Sequence, residues 1–259
     1  MSLEVTFLGT GTSQGCPLIG VEYPPEYLAN PKNHRTRSSV WVRTEKISLV
    51  VDTSPEFRIQ ALREKIRHVD AVIITHAHAD HMMGMDDLRR FCEMTGERIP
   101  IYASAQTMDI VKHVFFYAFG ATHAPRGYFR PEEHVFESTV TLGDLTVTPL
   151  PVPHGKTTTF GLLFEHEGRK KFAYISDAKT IPDAVLEKLR GVEVMVLDAL
   201  RKAEHPTHMS LPEAIDFARI INARKTYFTH LTHEYDHDRS QAELPEKMGL
   251  AWDGLKMDL

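Results

Sequence analysis

Short apolar runs alternate with amphipathic segments along the whole sequence, and this alternation constrains the fold more than any other feature. Runs rich in β-branched residues predict strands at residues 5–8, 40–42, 49–51, 71–75, 101–103, 145–149, 160–164, 172–175, 194–197, 227–228 and 255–257. Helical periodicity predicts helices at residues 55–65, 86–94, 105–119, 182–190 and 211–221. Because strands and helices interleave in both halves, we expect an α/β fold with helices covering sheet on each side. No Gly/Ser-rich or Pro-rich linker divides the sequence, so a single domain spanning 1–259 is predicted.

The composition is that of an ordinary globular protein. The 259 residues are 42% hydrophobic and 25% charged. No stretch approaches the ~18 uninterrupted apolar residues that a membrane span needs, and the N-terminal segment has no basic region followed by an apolar core. With only Cys16 and Cys92, a disulfide framework is not indicated. We therefore expect a cytoplasmic protein with no membrane partner.

The net charge bears on the partner. A formal charge of -5 argues against a nucleic-acid partner, because phosphate backbones recruit basic surfaces. A small-molecule substrate is therefore expected. The sequence leaves the oligomeric state open, and a homodimer is one expectation.

An unusual group of polar residues directly follows the predicted strand 71–75. It reads His76-Ala-His78-Ala-Asp80-His81. Alternation along extended chain puts His76 and His78 on the same side, and a turn just past the strand end can aim Asp80 and His81 at a second nearby point. Neutral imidazole and carboxylate are usual ligands of zinc, manganese and iron. The pattern predicts a metal site rather than a polar loop that happens to be rich in His.

The segment from Thr75 to His81 resembles the signature motif of the metallo-β-lactamase superfamily. Further segments are similar to the superfamily's first turn, acidic strand end, downstream His ligand, bridging aspartate and last ligand: Leu8-Gly-Thr-Gly-Thr-Ser13, Val51-Asp52-Thr53, Pro153-His154-Gly155, Ile175-Ser-Asp177 and Phe228-Thr-His230. The resemblance extends over nearly the whole chain. It implies an αβ/βα four-layer sandwich with the metals at the sheet edges.

The resemblance also implies which residues bind which ion. One divalent transition-metal ion would be held by His76, His78 and His154, a second by Asp80, His81 and His230, and Asp177 would bridge the two. Taken alone, a residue such as His154 is more often a hydrogen-bonded loop histidine than a ligand, and one such as Asp177 is more often a helix cap. His230 is ambiguous. Their order and spacing behind the first motif favour the ligand assignment.

A paired metal site of this kind is hydrolytic machinery. A carboxylate has two oxygens that can link two cations, and two ions ~3.5–4 Å apart lower the pKa of a bridging water and clamp the attacking and leaving oxygens. The expected activity is metal-dependent hydrolysis through a metal-bridging hydroxide. The ligand types suit zinc or manganese, and also iron, and the sequence does not choose among them.

Within the superfamily, the chain is similar to the phosphoribosyl 1,2-cyclic phosphate phosphodiesterases of the carbon–phosphorus lyase pathway. The residues that carry this resemblance are Gly9-Thr-Gly-Thr-Ser13, Gly15-Cys-Pro17, His208-Met-Ser210 and Thr229-His-Leu-Thr-His233. It implies that His208 is the general acid, whereas the bare residue would be a solvent-facing histidine before a helix. The catalytic residues are thus expected to be His208 and Asp80, the latter also a ligand.

One loop departs from that subfamily. Its members have a Cys-x-Cys-x-x-Cys loop that binds a structural zinc together with a His three residues after the last active-site ligand. Here the loop reads Val21-Glu-Tyr23-Pro-Pro-Glu26, although His233 remains. Without thiolates a tetrahedral zinc site cannot be assembled there, so we expect no third metal, and the substrate beyond the cyclic phosphate can differ.

Other readings remain open on the sequence. A tRNA 3′-processing endonuclease shares the fold and the chemistry, but it usually carries a basic arm, for which residues 113–134 are the only candidate and are more aromatic than basic. A thioester, lactone or lactam hydrolase is reached on this fold by loop variation. A non-enzymatic scaffold would have no reason to keep a complete buried ligand set. The irregular stretches 15–37 and 120–134 either border the active site or are surface excursions.

Overall fold

The computed structural model describes residues 2–119 and 127–259. The irregular stretch predicted at 120–134 therefore lies partly outside the described residues. Its described part leads directly into a short strand at Pro131–Val135.

Two seven-stranded sheets form the centre of the molecule. The first has the strand order β14-β1-β2-β3-β4-β5-β6, and the second has the order β13-β12-β11-β10-β9-β8-β7. The strands of the first sheet are β1 (Glu4–Gly9), β2 (Ser39–Arg43), β3 (Ser48–Val51), β4 (Ala71–Ile73), β5 (Ile99–Ala103), β6 (Pro131–Val135) and β14 (Lys256–Asp258). Those of the second are β7 (Val140–Leu142), β8 (Leu145–His154), β9 (Thr157–His166), β10 (Arg169–Ile175), β11 (Val194–Asp198), β12 (Lys225–Thr229) and β13 (Met248–Leu250).

Eight helices accompany the sheets in the described part of the chain. They are α1 (Pro25–Ala29), α2 (Phe57–Arg63), α3 (Ala79–Met82), α4 (Arg89–Thr95), α5 (Ala105–Val114), α6 (Asp183–Leu189), α7 (Leu211–Ile221) and α8 (His237–Ala242), with short 3-10 turns at Pro31–Asn33 and Met85–Leu88. Of these, α2, α4, α5, α6 and α7 pack on the outer faces of the sheets. Among these helices, none combines the length and the apolar character that crossing a membrane requires.

Three apolar layers hold the four structural layers together. Between the sheets, Phe7 and Val51 of the first pack in one cluster with Phe164 of the second. Phe57 and Phe91 of α2 and α4 belong to the cluster on the outer face of the first sheet, together with residues of α5. The equivalent cluster on the second sheet includes residues of α6 and α7. This helix–sheet–sheet–helix order confirms the predicted four-layer sandwich.

The strand directions bring polar residues to one edge of the sandwich. Strands β3, β4 and β5 run parallel, and so do β10, β11 and β12. Since the carboxyl ends of parallel strands lie at the same edge of a sheet, the residues after these strands collect there. They are Asp52 after β3, His76 after β4, Asp177 after β10, Asp198 at the end of β11 and His230 after β12. At this edge the sheets are joined by the Phe160 amide, which donates to the Thr75 carbonyl at 3.1 Å.

The helix α3 is held against the β3–α2 loop by a close backbone approach at Gly84. The Gly84 amide donates to the Thr53 carbonyl at 2.9 Å, and a Cβ at Gly84 would lie 1.9 Å from the Ser54 carbonyl oxygen. Because backbone on both sides blocks relief of this clash, Gly84→Ala is expected to lower the free energy of unfolding by about 1–3 kcal/mol, as overpacking does. Thermal unfolding measures this.

The matched control for that change is Gly168→Ala. Gly168 also gains a Cβ, but no atom lies within 4 Å of it, and its φ of +71° carries only the cost of a left-handed conformation. A loss of stability at Gly84 no larger than at Gly168 would show that the close approach is not a constraint.

Candidate metal centre

The motif after β4 supplies half of a compact cluster of histidines. His76 is fully buried, while His78 at the start of α3 is exposed, and their rings approach with His76 Nε2 2.9 Å from His78 Nδ1. His154, at the end of β8, completes the group, and one ring nitrogen of each lies within 4.8 Å of the others. The structure thus brings together the three residues predicted to bind one ion.

A second group lies beside the first. Asp80 and His81 belong to α3, and His230 follows β12. The Nε2 atoms of His81 and His230 lie 3.2 and 3.5 Å from one Asp80 oxygen. These are the three residues predicted to bind the other ion, and their candidate ligand atoms also lie within 4.8 Å of one another.

Asp177 lies between residues of the two groups. Its Oδ2 is 3.2 Å from His81 Nε2, and its Oδ1 is 3.2 Å from His230 Nε2. It also joins ligand clusters with His76 and with His154. The two 3.2 Å contacts are both to the Asp80 group, and the clusters with His76 and with His154 place the carboxylate beside the other group as well. That Asp177 bridges two ions stays a prediction.

The donor atoms suit divalent ions. His81 Nε2, Asp177 Oδ2 and both ring nitrogens of His230 are buried and make no hydrogen bond within the described part of the chain. Burying polar atoms without partners is costly, so such atoms indicate a bound group. Imidazole and carboxylate without thiolate match zinc, manganese and iron chemistry.

The local field also favours a cation. Burial lowers the pKa of His81, but the carboxylates of Asp177 and Asp80 outweigh it and hold this pKa well above its ordinary value. The same negative potential that retains a proton there would retain a metal ion. Burial lowers the pKa of His76 well below its ordinary value, so that ring is neutral, the form in which imidazole binds metals.

Outer hydrogen bonds fix the orientation of the ligand rings. His81 Nδ1 donates to Asp52 at 2.7 Å, and His154 Nδ1 donates to the Thr207 carbonyl at 2.9 Å. Because carboxylate and carbonyl oxygens accept these bonds, the neutral form of each ring carries its proton on Nδ1 and would offer the Nε2 lone pair to a metal ion. Asp52 also accepts from the Thr75 amide at 2.8 Å.

The backbone is strained at the same edge. Asp52 and His230 have φ angles of 61° and 59°, the left-handed region that side chains other than glycine rarely adopt. Such residues cost of order 1–3 kcal/mol each and cluster at functional sites. Both follow central parallel strands, where the strain turns the side chain toward the cluster.

Asp52 is expected to tune metal affinity without binding the metal. Asp52→Asn keeps the shape but removes the charge that orients His81, so metal affinity should fall about 10–100-fold. Competition with a chromophoric chelator measures this fall. Glu45→Gln, an exposed residue between β2 and β3, is the control. An affinity equal to that of the control would mean that the hydrogen bond to His81 has no part in metal binding.

His208 lies next to the cluster, with its ring stacked on His230 at a centroid distance of 4.8 Å. Its Nδ1 donates to Asp198 Oδ2 at 2.7 Å, so Nε2 is the ring nitrogen left for contact with a substrate. Burial, together with charge on His230, lowers the pKa of His208 to about 4. The negative charge of a bound phosphate would act in the opposite direction.

Asp198 is a site residue that the sequence reasoning missed. It is fully buried at the end of β11 and also accepts from the Ala178 amide at 3.0 Å. Asp198 orients the ring of His208 in the same way as Asp52 orients the ring of His81. Each aspartate lies at or just after the end of a buried parallel strand. The signal that could have found it is the apolar run 194–197 ending in an acidic residue.

A cavity of about 310 Å³, here called the metal cavity, opens over the cluster. Besides the predicted ligands, Ser13, Lys156, Thr157 and Thr207 line it. Lys156, in the β8–β9 turn, forms no ion pair among the described residues and adds positive charge at the rim. The metal cavity therefore suits a small anionic substrate.

The loop that departs from the phosphodiesterase subfamily is filled by aromatic rings. Tyr23 stacks on Tyr27 at 4.8 Å, and its edge meets His233 at 6.0 Å. The Tyr23 hydroxyl accepts from the Leu18 amide at 2.9 Å. These contacts give His233 a packing role in this loop.

The sequence and the fold are similar to those of known proteins. The sequence profile of the β-lactamase superfamily domain matches residues 48–231, more than half of the chain. An octanoyltransferase of Porphyromonas gingivalis is 30% identical over 258 residues, which is 98% of this chain and 51% of that protein. The chain thus spans about half the length of that relative. A ribonuclease Z of Bradyrhizobium diazoefficiens is 23% identical over 92% of this chain and 93% of its own length.

Solved structures of similar fold cover the whole chain. A diphosphatase of the PhnP family superposes with a TM-score of 0.90 at 39% identity, over 99% of this chain and 98% of that one. The zinc-bound PqqB of Methylobacterium extorquens gives a TM-score of 0.79 at 19% identity, over 99% and 100% of the two chains. The short form of human tRNase Z gives 0.73 at 18% identity, over 98% of each. The last two share the fold alone.

Proposed function

This chain belongs to the metallo-β-lactamase superfamily of metal-dependent hydrolases, and we propose that it is a dinuclear phosphodiesterase acting on small cyclic phosphates or similar small diesters. The single observation that carries the proposal is the pair of ligand groups joined by Asp177, with the His208–Asp198 pair directly beside it. Two divalent ions held there would supply an activated water and neutralise charge on the phosphate oxygens.

The chain's own residues then account for the other half of the reaction. A phosphodiester bond breaks more easily when the leaving oxygen gains a proton, and the imidazolium form of His208, protonated at both ring nitrogens, would donate that proton from Nε2. The negative charge of a bound phosphate favours this form. Asp198 accepts a hydrogen bond from His208 Nδ1 and thereby keeps a proton on that nitrogen and orients the ring. Lys156 at the rim of the metal cavity would attract the anionic substrate.

The size and charge of the site support a small substrate. The metal cavity, at about 310 Å³, is at the small end of ligand pockets. The net charge of -5 does not favour a long polyanion. The PhnP-family diphosphatase, at 39% identity, supports phosphodiesterase-like activity. The ribonuclease Z similarity supports the same bond type on RNA, at lower identity.

A substrate panel tests the proposal. Purified protein supplied with Zn²⁺ or Mn²⁺ should hydrolyse bis(p-nitrophenyl) phosphate and small five-membered cyclic phosphates, and should leave precursor tRNA nearly intact. Cleavage of precursor tRNA at its 3′ end with poor turnover of every small diester would favour the nuclease instead. Hydrolysis of thioesters or lactones but no phosphodiester would reject phosphoester chemistry altogether.

A further inference from the structure

A buried arginine lies against the turn that follows β12. Arg35, between the 3-10 turn Pro31–Asn33 and β2, is only 1% exposed. Among the described residues, no carboxylate forms an ion pair with its guanidinium, and its Nε makes no hydrogen bond. Removing a charge from water without an opposite charge beside it is costly. This cost indicates that the guanidinium has a task at this place.

The guanidinium contacts one segment, residues 231–235, here called the β12 turn. Arg35 Nη2 donates to the Tyr235 carbonyl at 2.9 Å, and Nη1 donates to the Thr232 carbonyl at 3.5 Å. The planar fork of an arginine side chain can hold two acceptors at a fixed separation, which a lysine ammonium does less well. Arg35 therefore fixes the beginning and the end of the β12 turn relative to each other.

The backbone of Arg35 belongs to a different part of the molecule. Its amide donates to the Cys16 carbonyl at 2.9 Å, and its carbonyl accepts from the Cys16 amide at 2.8 Å. Gly11 packs so closely on it that a Cβ at Gly11 would lie 2.8 Å from the Arg35 carbonyl oxygen. The arginine is thus anchored to the loop after β1, and its side chain joins that loop to the β12 turn.

The β12 turn directly follows His230, a predicted ligand whose φ is 59°. The rings of His81 and His154 are oriented by hydrogen bonds at Nδ1, whereas Nδ1 of His230 makes none within the described part of the chain. Since no outer acceptor orients the His230 ring, its direction depends on its own backbone and on the His208 ring stacked against it. The segment that fixes this backbone therefore also places the ligand.

We propose that Arg35 is a positioning residue for His230: by fixing the β12 turn it directs the His230 ring into the metal centre. This inference rests on the metal binding in the proposed function and not on the identity of the substrate. Its consequence is selective. Loss of the Arg35 contacts should weaken the ion predicted at Asp80, His81 and His230 and should spare the other ion.

A zinc titration of chelator-treated Arg35→Met protein tests this inference. Competition with a chromophoric chelator gives an affinity for each of the two ions expected in the wild type. In Arg35→Met, one affinity should fall about 10–100-fold, as it does when an outer contact of a metal ligand is lost, and the other should keep its wild-type value. The weakened ion should be the one that His230→Ala loses, and not the one that His154→Ala loses.

Arg130→Met is the matched control. Arg130, just before β6, is half-buried, and its Nη2 likewise donates to two carbonyls, those of Cys92 and Glu97, at 3.3 and 3.2 Å. Its loss should lower the thermal stability without changing either metal affinity. Arg35→Lys keeps the buried charge and removes the fork, so it should show a smaller loss at the same ion. If Arg35→Met does not fold, Arg35→Lys carries the comparison.

Selectivity separates positioning from general support of the fold. Loss of affinity at the His230 ion alone supports the positioning role. An equal loss at both ions, or affinities equal to those of Arg130→Met, would overturn it, because an arginine that only supports the fold has no preference for one ion. Wild-type protein that binds fewer than two ions would instead reject the proposed dinuclear function.

Discussion

Replacing Asp177 by Ala is expected to remove both metal ions together and to lower diester turnover by at least about 10²–10³-fold, the cost of losing one group that stabilises developing charge. The reason is its position, because Asp177 lies 3.2 Å from His81 and His230 of one group and forms ligand clusters with His76 and with His154 of the other. Elemental analysis of the purified variant, alongside kcat on bis(p-nitrophenyl) phosphate, measures both effects.

Two comparisons give this prediction its meaning. His154→Ala should damage mainly one metal site, because His154 groups with His76 and His78 and not with the Asp80 group. Asp183→Ala, an exposed acidic residue at the start of α6, should change neither metal content nor rate. If Asp177→Ala and His154→Ala had equal and mild effects, the assignment of Asp177 as the bridging ligand would be wrong.

The His208→Ala change is expected to lower turnover by about two to four orders of magnitude while metal content stays at the wild-type level. His208 contributes no ligand to either predicted ion, and its Nδ1 is held by Asp198, so the ring is positioned for proton donation at Nε2. Steady-state kinetics together with metal analysis separate a catalytic effect from loss of metal. His113→Ala, an exposed histidine on α5, is the control.

The leaving group decides whether His208 acts as the acid. p-Nitrophenolate leaves without protonation, so the loss of rate should be much smaller for p-nitrophenyl diesters than for alkyl diesters. A loss of equal size for both leaving groups would show that His208 acts in some other way, for example through substrate binding.

Helices with clear capping residues at their ends could be predicted closely from the sequence. The predicted helix 211–221 coincides with α7, because a capping box between Ser210 and Glu213 starts it and Asn222 in a left-handed conformation ends it. The predicted helix 105–119 instead ends at Val114, and the strand predicted to end at 149 continues to His154.

That strand shows where local rules fail. Prolines at 149, 151 and 153 argue against the interior of a strand, which is why the predicted strand ends at 149. In the structure, the pairing of β8 with β7 ends at Val147, before the first of these prolines. Beyond Val147, no strand of the described residues pairs with that edge of β8, so the N–H groups that proline lacks are not needed for strand pairing there. Strands β6, β7 and β13 were not predicted, since they are short and owe their form to neighbouring strands.

Each predicted ligand follows the end of a predicted strand and belongs to a segment that resembles a motif of the family. The structure brings all of them to one edge, and their binding of metal stays a prediction. Asp198 had the strand end but no motif. Lys156 had neither, because the β8–β9 turn brings it to the metal cavity and its approach depends on tertiary packing.

The most direct test of the central claim is a metal titration of chelator-treated protein, followed by diester hydrolysis. We expect no turnover of bis(p-nitrophenyl) phosphate without metal, and activity that rises with added Zn²⁺ or Mn²⁺ and reaches its plateau at two ions per chain. A third ion, bound through His233, would contradict the prediction for the loop at 21–26. Full activity in metal-free protein, or a plateau at one ion per chain, would contradict the dinuclear account itself.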